Sequence, residues 1–473
     1  EAGWGRGVRL MTSDAMAIPV RIDGGLVTGV DGANGVRAWL GLPFAAPPVG
    51  ELRWRAPASV VGWDGVRQAD RFAAQCVQPG RAADSVYAEF AGVQAMSEDC
   101  LYLNVWAPAQ TPAAALPVMV WIHGGAFQQG SGANPVFVRG DLPQQGVVLV
   151  TINYRLGPLG FMAHPELSEE AQGASGNYGL QDMAAALRWV ERNIAAFGGD
   201  PAKVTVFGQS AGAHGVIALM ASPEARGLFR YAIAQSFGIS PTDSLASAER
   251  KGEGFAEGAG AKSIAALRAM DANVLIEHYL AQPERFMPIV DGQFLTKPLA
   301  EIFAAGEQQA VPLLTGWNRD EGTTFPAAIG KIFAAGVYAA VRLHAPVAPT
   351  YLYHFAHVQP FNPGQHYREA DPASKLGVFH SSEYPYIFGT TRELTRDWGV
   401  DDDRMTALMQ ACWTRFAKTG DPNGEGMPHW PTFEHGRATT MELTPAPALV
   451  EVPPHADLGL LPRGTSVRTP RSN

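Results

Sequence analysis

The sequence predicts an α/β fold, a mostly parallel central sheet flanked by helices, on three observations. Short β-rich runs alternate with helical patterns. The strand candidates are apolar on both faces, as strands buried within a parallel sheet must be. A long amphipathic helix joins two of them. The strand candidates are LPVMVWI (116–122), VVLVTINY (147–154), KVTVFG (203–208), YAIAQS (231–236) and VPLLTG (311–316). Between the second and third, Leu180, Met183, Leu187, Val190, Ile194 and Phe197 recur at helical spacing and stop at Gly198-Gly199, which predicts a crossover helix.

The first hundred residues differ. Turn-rich pieces such as RIDGGLVTGVDGANGVRAWLGLPFAAPPVG predict an antiparallel N-terminal extension of the sheet. Short, Ala-rich helical patterns around 240–285 and 323–350 predict a reduced helical cap inserted above the carboxyl ends of the strands. No internal repeat or low-complexity linker interrupts the chain, so residues 1–473 are expected to form one domain with cap insertions.

Composition excludes other classes. With 46% hydrophobic and 17% charged residues the chain is neither disordered nor fibrous. A net charge of -9, with both signs scattered and no basic block, argues against nucleic acid as a partner. The stretch from Leu101 to Val138 lacks Asp, Glu, Lys and Arg, but Pro108, Pro112, Pro117 and Pro135 break it, so it reads as buried strand and loop and no membrane span is expected. The N-terminal EAGWGRGVRLMTSDAMA has no apolar core of a signal peptide, so any leader would have preceded it. Three cysteines, Cys76, Cys100 and Cys412, are too few for a disulfide framework and none sits at metal-ligand spacing, so no metal site is expected.

The strongest chemical signal is Gly208-Gln209-Ser210-Ala211-Gly212, a G-x-S-x-G sequence between a predicted strand and a predicted helix. Glycines on either side of the serine permit a strained turn that pushes its hydroxyl out over the helix N-terminus, which makes Ser210 a candidate nucleophile. A nucleophile attacking a carbonyl needs N–H donors for the oxygen that becomes negative. HGGAF (123–127), after the strand 116–122, resembles the glycine-rich loop that supplies them in serine esterases. Gly125 and Ala126, with Ala211, are the candidate donors. The general base is not legible from pattern. Of twelve histidines, His214 lies one helical turn past Ser210 and should run into packing, His123 should shape the glycine loop, and the later ones carry no motif.

A resemblance supplies what pattern leaves open. The chain resembles the type-B carboxylesterase and cholinesterase family, a branch of the α/β-hydrolases, with its bacterial para-nitrobenzyl-esterase-like members. The blocks AWLGLPFAAPPVGELRW, SEDCLYLNVW, HGGAF, INYRLGPLGF, GNYGLQDM, FGGDP, FGQSAG, GWNRDEGT, FHSSEYPYIFG and GDPN occur in the family's order. The resemblance implies Ser210 as nucleophile, His380 of FHSSE as base, and Glu321 of GWNRDEG as the acid that orients it, with Asp320 the rival acid. It implies hydrolysis of a small-molecule carboxylic ester through an acyl-enzyme without a cofactor. It also implies a Cys76–Cys100 disulfide, hence periplasm or secretion, structural pairs Arg53–Glu98 and Arg155–Asp182, and Ser236 as a hydroxyl supporting the acid. Cys412 is left as a buried thiol. The same family includes catalytically silent adhesion proteins, a reading that the intact triad disfavours.

Four departures from the family bear on the substrate. Gln209 replaces the usual Glu before the nucleophile. The segment between Cys76 and Cys100 holds Tyr87 and Phe90 but no Trp, which argues against choline recognition by cation-π contact. Phe237 replaces a small residue after Ser236. Phe127, Gln209, Phe237, Phe325 and Phe379 are the expected pocket residues. The interval of 59 residues from Glu321 to His380 is short for the family, which predicts a more open site admitting bulky or polymeric esters. A monomer is expected.

Overall fold

The structure, a computed structural model, describes residues 18–452 apart from 33–34, 93, 111–114, 139, 326 and 435–438. The N-terminal leader reading, His435 and His455 lie outside the described residues.

Eleven strands form the main sheet: β1 (Val30–Asp31), β2 (Val36–Pro43), β3 (Tyr102–Pro108), β4 (Leu116–Ile122), β5 (Val148–Ile152), β6 (Gly199–Gln209), β7 (Tyr231–Gln235), β8 (Leu313–Asn318), β9 (Thr350–Phe355), β10 (Thr439–Leu443) and β11 (Ala448–Glu451). Their order across the sheet is β1-β2-β3-β5-β4-β6-β7-β8-β9-β10-β11. From β5 to β10 neighbours run parallel, while β1, β2, β3 and β11 pair antiparallel at the two edges. This is the α/β-hydrolase fold with its antiparallel N-terminal extension. The second antiparallel edge, β10–β11, was not legible because TTMEL and ALVE are short and half polar.

Alternation along the central strands explains their apolar character. In β4, Val118, Val120 and Ile122 enter one core while Met119 and Trp121 enter the other. The crossover helix α1 (Tyr178–Asn193) covers the first core with Met183, Leu187 and Val190. On the other face a long C-terminal helix (Val400–Thr419) contributes Met405, Met409, Trp413 and Phe416.

Helix α2 (Ala211–Ala221) follows β6 directly and is buried along its whole length. The 240–285 segment contains α3 (Leu245–Gly258) and α4 (Ala272–Leu280). The Arg53 guanidinium ties it down, donating to the carbonyls of Leu267 (3.0 Å) and Met270 (2.8 Å) while pairing with Glu98 at 2.6 Å. Arg155 pairs with buried Asp182 at 2.7 Å. The 323–350 segment contains α5 (Ala327–His344), which joins parallel neighbours β8 and β9 and packs on both. It therefore serves as a crossover, and only its early turns face the cavity described below.

Cys76 and Cys100 are joined in a disulfide. Cys412 is a buried free thiol that burial pushes up to about 12. No helix among the described residues is long and apolar enough to cross a membrane.

Candidate active site

Strand order reverses beside β4, and the carboxyl ends of β4 and β6 open there into a cavity of about 550 Å³. Such reversals are where open α/β sheets bind ligands. Ser210 lines the cavity at the junction of β6 and α2 with φ 57° and ψ -125°, a conformation L residues avoid. Packing imposes it: a Cβ at Gly212 would sit 2.0 Å from the Ile122 carbonyl oxygen, so only glycine lets α2 start this close to β4. The Ser210 N–H is held by the Gln235 carbonyl at 2.9 Å.

The 123–130 loop turns under the cavity. Gly125 (φ +115°), Ala126 (φ 56°) and Phe127 (φ 60°) form a run of left-handed backbone, closed by Gln128 and Gln129 N–H bonds to the Gly125 carbonyl. Consecutive positive φ values turn amide N–H groups toward a common concavity. The N–H groups of Gly125, Ala126 and Ala211 have no acceptor among the described residues. His123 is stacked on Tyr154 (centroids 4.4 Å apart), its Nδ1 is 2.8 Å from the Gly124 carbonyl, and burial pushes it down to about 4. His214 is buried between Phe127 and Phe237 and is also pushed down to about 4 by burial. Both histidines are packing groups.

Glu321 begins the turn after β8, where its Oε1 accepts the Asn318 N–H at 2.9 Å and its Oε2 accepts from His380 Nδ1 at 2.5 Å. Carboxylate and imidazole are both nearly inaccessible. His380 lies beneath the ring of Phe333 (4.3 Å, 19°) and against the edge of Phe325 (5.3 Å). Its Nε2 faces the Gln209 amide nitrogen at 3.1 Å, and Gln209 Oε1 in turn accepts from the Tyr384 hydroxyl. Asp320 points elsewhere: its carboxylate accepts the Val378 N–H at 2.8 Å and pairs with Arg319, pinning the loop that carries His380.

Of the expected pocket residues, Phe127, Gln209, Phe237 and Phe325 line the cavity. Phe379 does not. It is fully buried in the aromatic core against Tyr87 and Phe361, so its ring is spent on packing. Ser236 is buried at φ 57°, but its hydroxyl makes no bond to Glu321, whose oxygens are taken by Asn318 and His380.

Several site residues escaped the sequence reading. Asn318 donates through its side chain to the Phe379 carbonyl (2.8 Å) and to Glu383 (2.7 Å), and Glu383 also accepts from Gln235 at 3.1 Å. The only signal was their position inside GWN and FHSSE. Arg81 and Phe333 on the cavity wall carried none, and Tyr384 only its place inside FHSSEYPYIFG.

The sequence model of the carboxylesterase family matches residues 17–331 and 329–456. The chain belongs to the carboxylesterase family. It is 38% identical over 474 residues to the fumonisin B1 esterase of Sphingopyxis macrogoltabida, covering 87% of this chain and 83% of that protein. It is 35% identical to the para-nitrobenzyl esterase of Bacillus subtilis (strain 168), covering 87% and 91%. A solved para-nitrobenzyl esterase structure superimposes with a TM-score of 0.83 at 32% identity over 94% of this chain and 99% of that one. This carboxylesterase is a carboxylic-ester hydrolase of the serine type with the α/β-hydrolase fold.

Proposed function

We propose that this esterase works through Ser210, His380 and Glu321, with the N–H groups of Gly125, Ala126 and Ala211 as the oxyanion hole. The observation that carries the reading is the 2.5 Å contact between His380 Nδ1 and Glu321 Oε2, buried behind a cavity onto which the strained Ser210 turn opens. Glu321 accepts Nδ1–H, so the lone pair of Nε2 faces the cavity. His380 Nε2 takes the Ser210 hydroxyl proton once the Gln209 amide yields that position, and Oγ attacks the ester carbonyl carbon. The carbonyl oxygen becomes an oxyanion, received by the three N–H groups. As the tetrahedral centre collapses, the C–O bond to the alcohol breaks and the imidazolium returns its proton to the departing oxygen. Water then repeats the cycle on the acyl-enzyme, releasing the acid and Ser210.

We infer further that the substrate is a bulky ester, polymeric esters included. The short Glu321-to-His380 interval supports this, as does an apolar rim where Leu280, Met287 and Ile329 are 45%, 36% and 42% exposed. The disulfide supports a periplasmic or secreted location, and we take the working form to be a monomer without a cofactor. The test is a fluorophosphonate probe followed by peptide mass mapping. One adduct at Ser210 is expected, with Ser210→Ala losing the adduct and about 10⁴-fold or more in kcat. An adduct on any other residue overturns the assignment.

A further inference from the structure

The charge lining the cavity is one-sided. Among the described residues its wall carries Arg81 and Arg285 and no Asp or Glu. Glu321 lies behind His380, and position 209, where a carboxylate would face the cavity, is the neutral Gln209. Arg81 sits in the loop closed by the disulfide, partly buried, its guanidinium 6.0 Å from the Tyr87 ring centroid. The two more deeply buried arginines described above each have a carboxylate: Arg53 has Glu98 and Arg155 has Asp182. Arg81 has neither an ion-pair partner nor a hydrogen bond among the described residues. A guanidinium removed from water without a counter-ion is costly, and its fork of N–H donors matches a carboxylate. Arg285 stands exposed at the mouth, its Nη1 on the carbonyls of Gln282 and Glu284 and its guanidinium 5.2 Å from the Tyr279 ring centroid, with no ion pair among the described residues.

Resting on the esterase reading above, we propose that the ester this enzyme is built for carries a free carboxylate, received by Arg81 inside the cavity and attracted by Arg285 at its mouth. The missing counter-ion of Arg81 is then supplied by the substrate. Burial acts in the same direction, lowering the affinity of the Arg81 guanidinium for its proton with only Tyr384 and Tyr87 nearby to oppose it, so an incoming carboxylate gains from a poorly solvated partner. The carboxylate belongs either to the acyl part, as in a monoester of a dicarboxylic acid, or to the alcohol part.

Two matched pairs separate these sources: monoethyl glutarate against ethyl 5-methylhexanoate for the acyl side, and 4-acetoxybenzoate against 4-isopropylphenyl acetate for the alcohol side. The readout is the ratio of kcat/KM, anionic over neutral, within each pair. In one pair the wild-type ratio should exceed one. It should fall about 10- to 100-fold in Arg81→Gln and recover in part in Arg81→Lys, the loss expected for a charge-assisted hydrogen bond. Raising salt from about 0.05 to about 0.5 M should lower the wild-type ratio without any mutation. Ratios at or below one in both pairs, or a ratio unchanged in Arg81→Gln even if both rates fall together, overturn the proposal while the esterase assignment stands on the neutral esters. No turnover of any of the four overturns the assignment of the site itself.

Discussion

The wall of the cavity made by the ends of β4 and β6 is set by backbone, whereas the wall facing it, from Arg81 and Tyr87 across to Leu280 and Phe333, is set by side chains. On the first, Ser210, Ala126 and Phe127 hold positive φ angles and Gly212 touches a neighbouring carbonyl. On the second, Tyr87 reaches Thr324 and the His380 carbonyl through its hydroxyl, and Leu280, Met287 and Ile329 are left partly in solvent. The difference separates two tasks. Developing charge on a carbonyl must be met by donors already in place, so the chemical wall is rigid and over-determined. Recognition needs only shape and charge of the right class, so the facing wall is built from replaceable groups.

The largest effect that sharpens this contrast compares two adjacent carboxylates. Glu321→Gln leaves the fold but presents an amide to His380 Nδ1 and disturbs the tautomer, so kcat should fall about 10³- to 10⁴-fold. Asp320→Asn weakens only the anchor on Val378 and the surface pair with Arg319. It should cost about tenfold or less. Steady-state kinetics on a neutral aryl ester reads both, and equal losses would mean that the chain's acid is misassigned.

The same contrast decides what was legible in the sequence. The core strands, the crossover helix 178–193 and the Ser210 turn were readable because periodicity and glycine placement are direct consequences of burial and of forbidden φ values. His380 and Glu321 were not readable from pattern. They lie 59 residues apart and meet only because β8 and the 377–383 loop are neighbours in the folded chain, so resemblance alone pointed to them. Arg81 gave no signal, and Asn318 and Glu383 none beyond their place inside GWN and FHSSE, since a buried polar residue looks like any other until its partners are known. Phe379 misled because sequence adjacency to His380 says nothing of which way a ring faces.

A second comparison sets stability on the two walls against each other. In Gly212→Ala the new Cβ meets the Ile122 carbonyl at 2.0 Å, a backbone atom that cannot swing aside. Overpacking of this kind costs about 1–3 kcal/mol or more, so the melting temperature should drop along with activity. Leu280→Ser, at the half-exposed rim, should change stability by about 0.5 kcal/mol or less. Similar losses in both variants, read by calorimetry, would erase the distinction between an over-determined wall and a replaceable one.

The smallest effect concerns Glu383, fully buried behind the chemical wall, where burial pushes its carboxyl up to about 7, the Asn318 bond opposing this and the Glu321 charge adding to it. Its affinity for a proton is higher folded than unfolded, so its contribution to stability is complete below the ordinary carboxylate range near 4.5. That contribution fades as pH rises through about 7. The wild type should therefore lose part of its stability between about pH 5 and pH 8, measured as denaturation midpoints across that window. Glu383→Gln cannot ionise and should flatten the slope, even though its amide meets the Asn318 and Gln235 amides less well and lowers the whole curve. An unchanged slope would mean that Glu383 stays ionised throughout, held by its two amide donors, and that the support behind Glu321 is a permanently charged network.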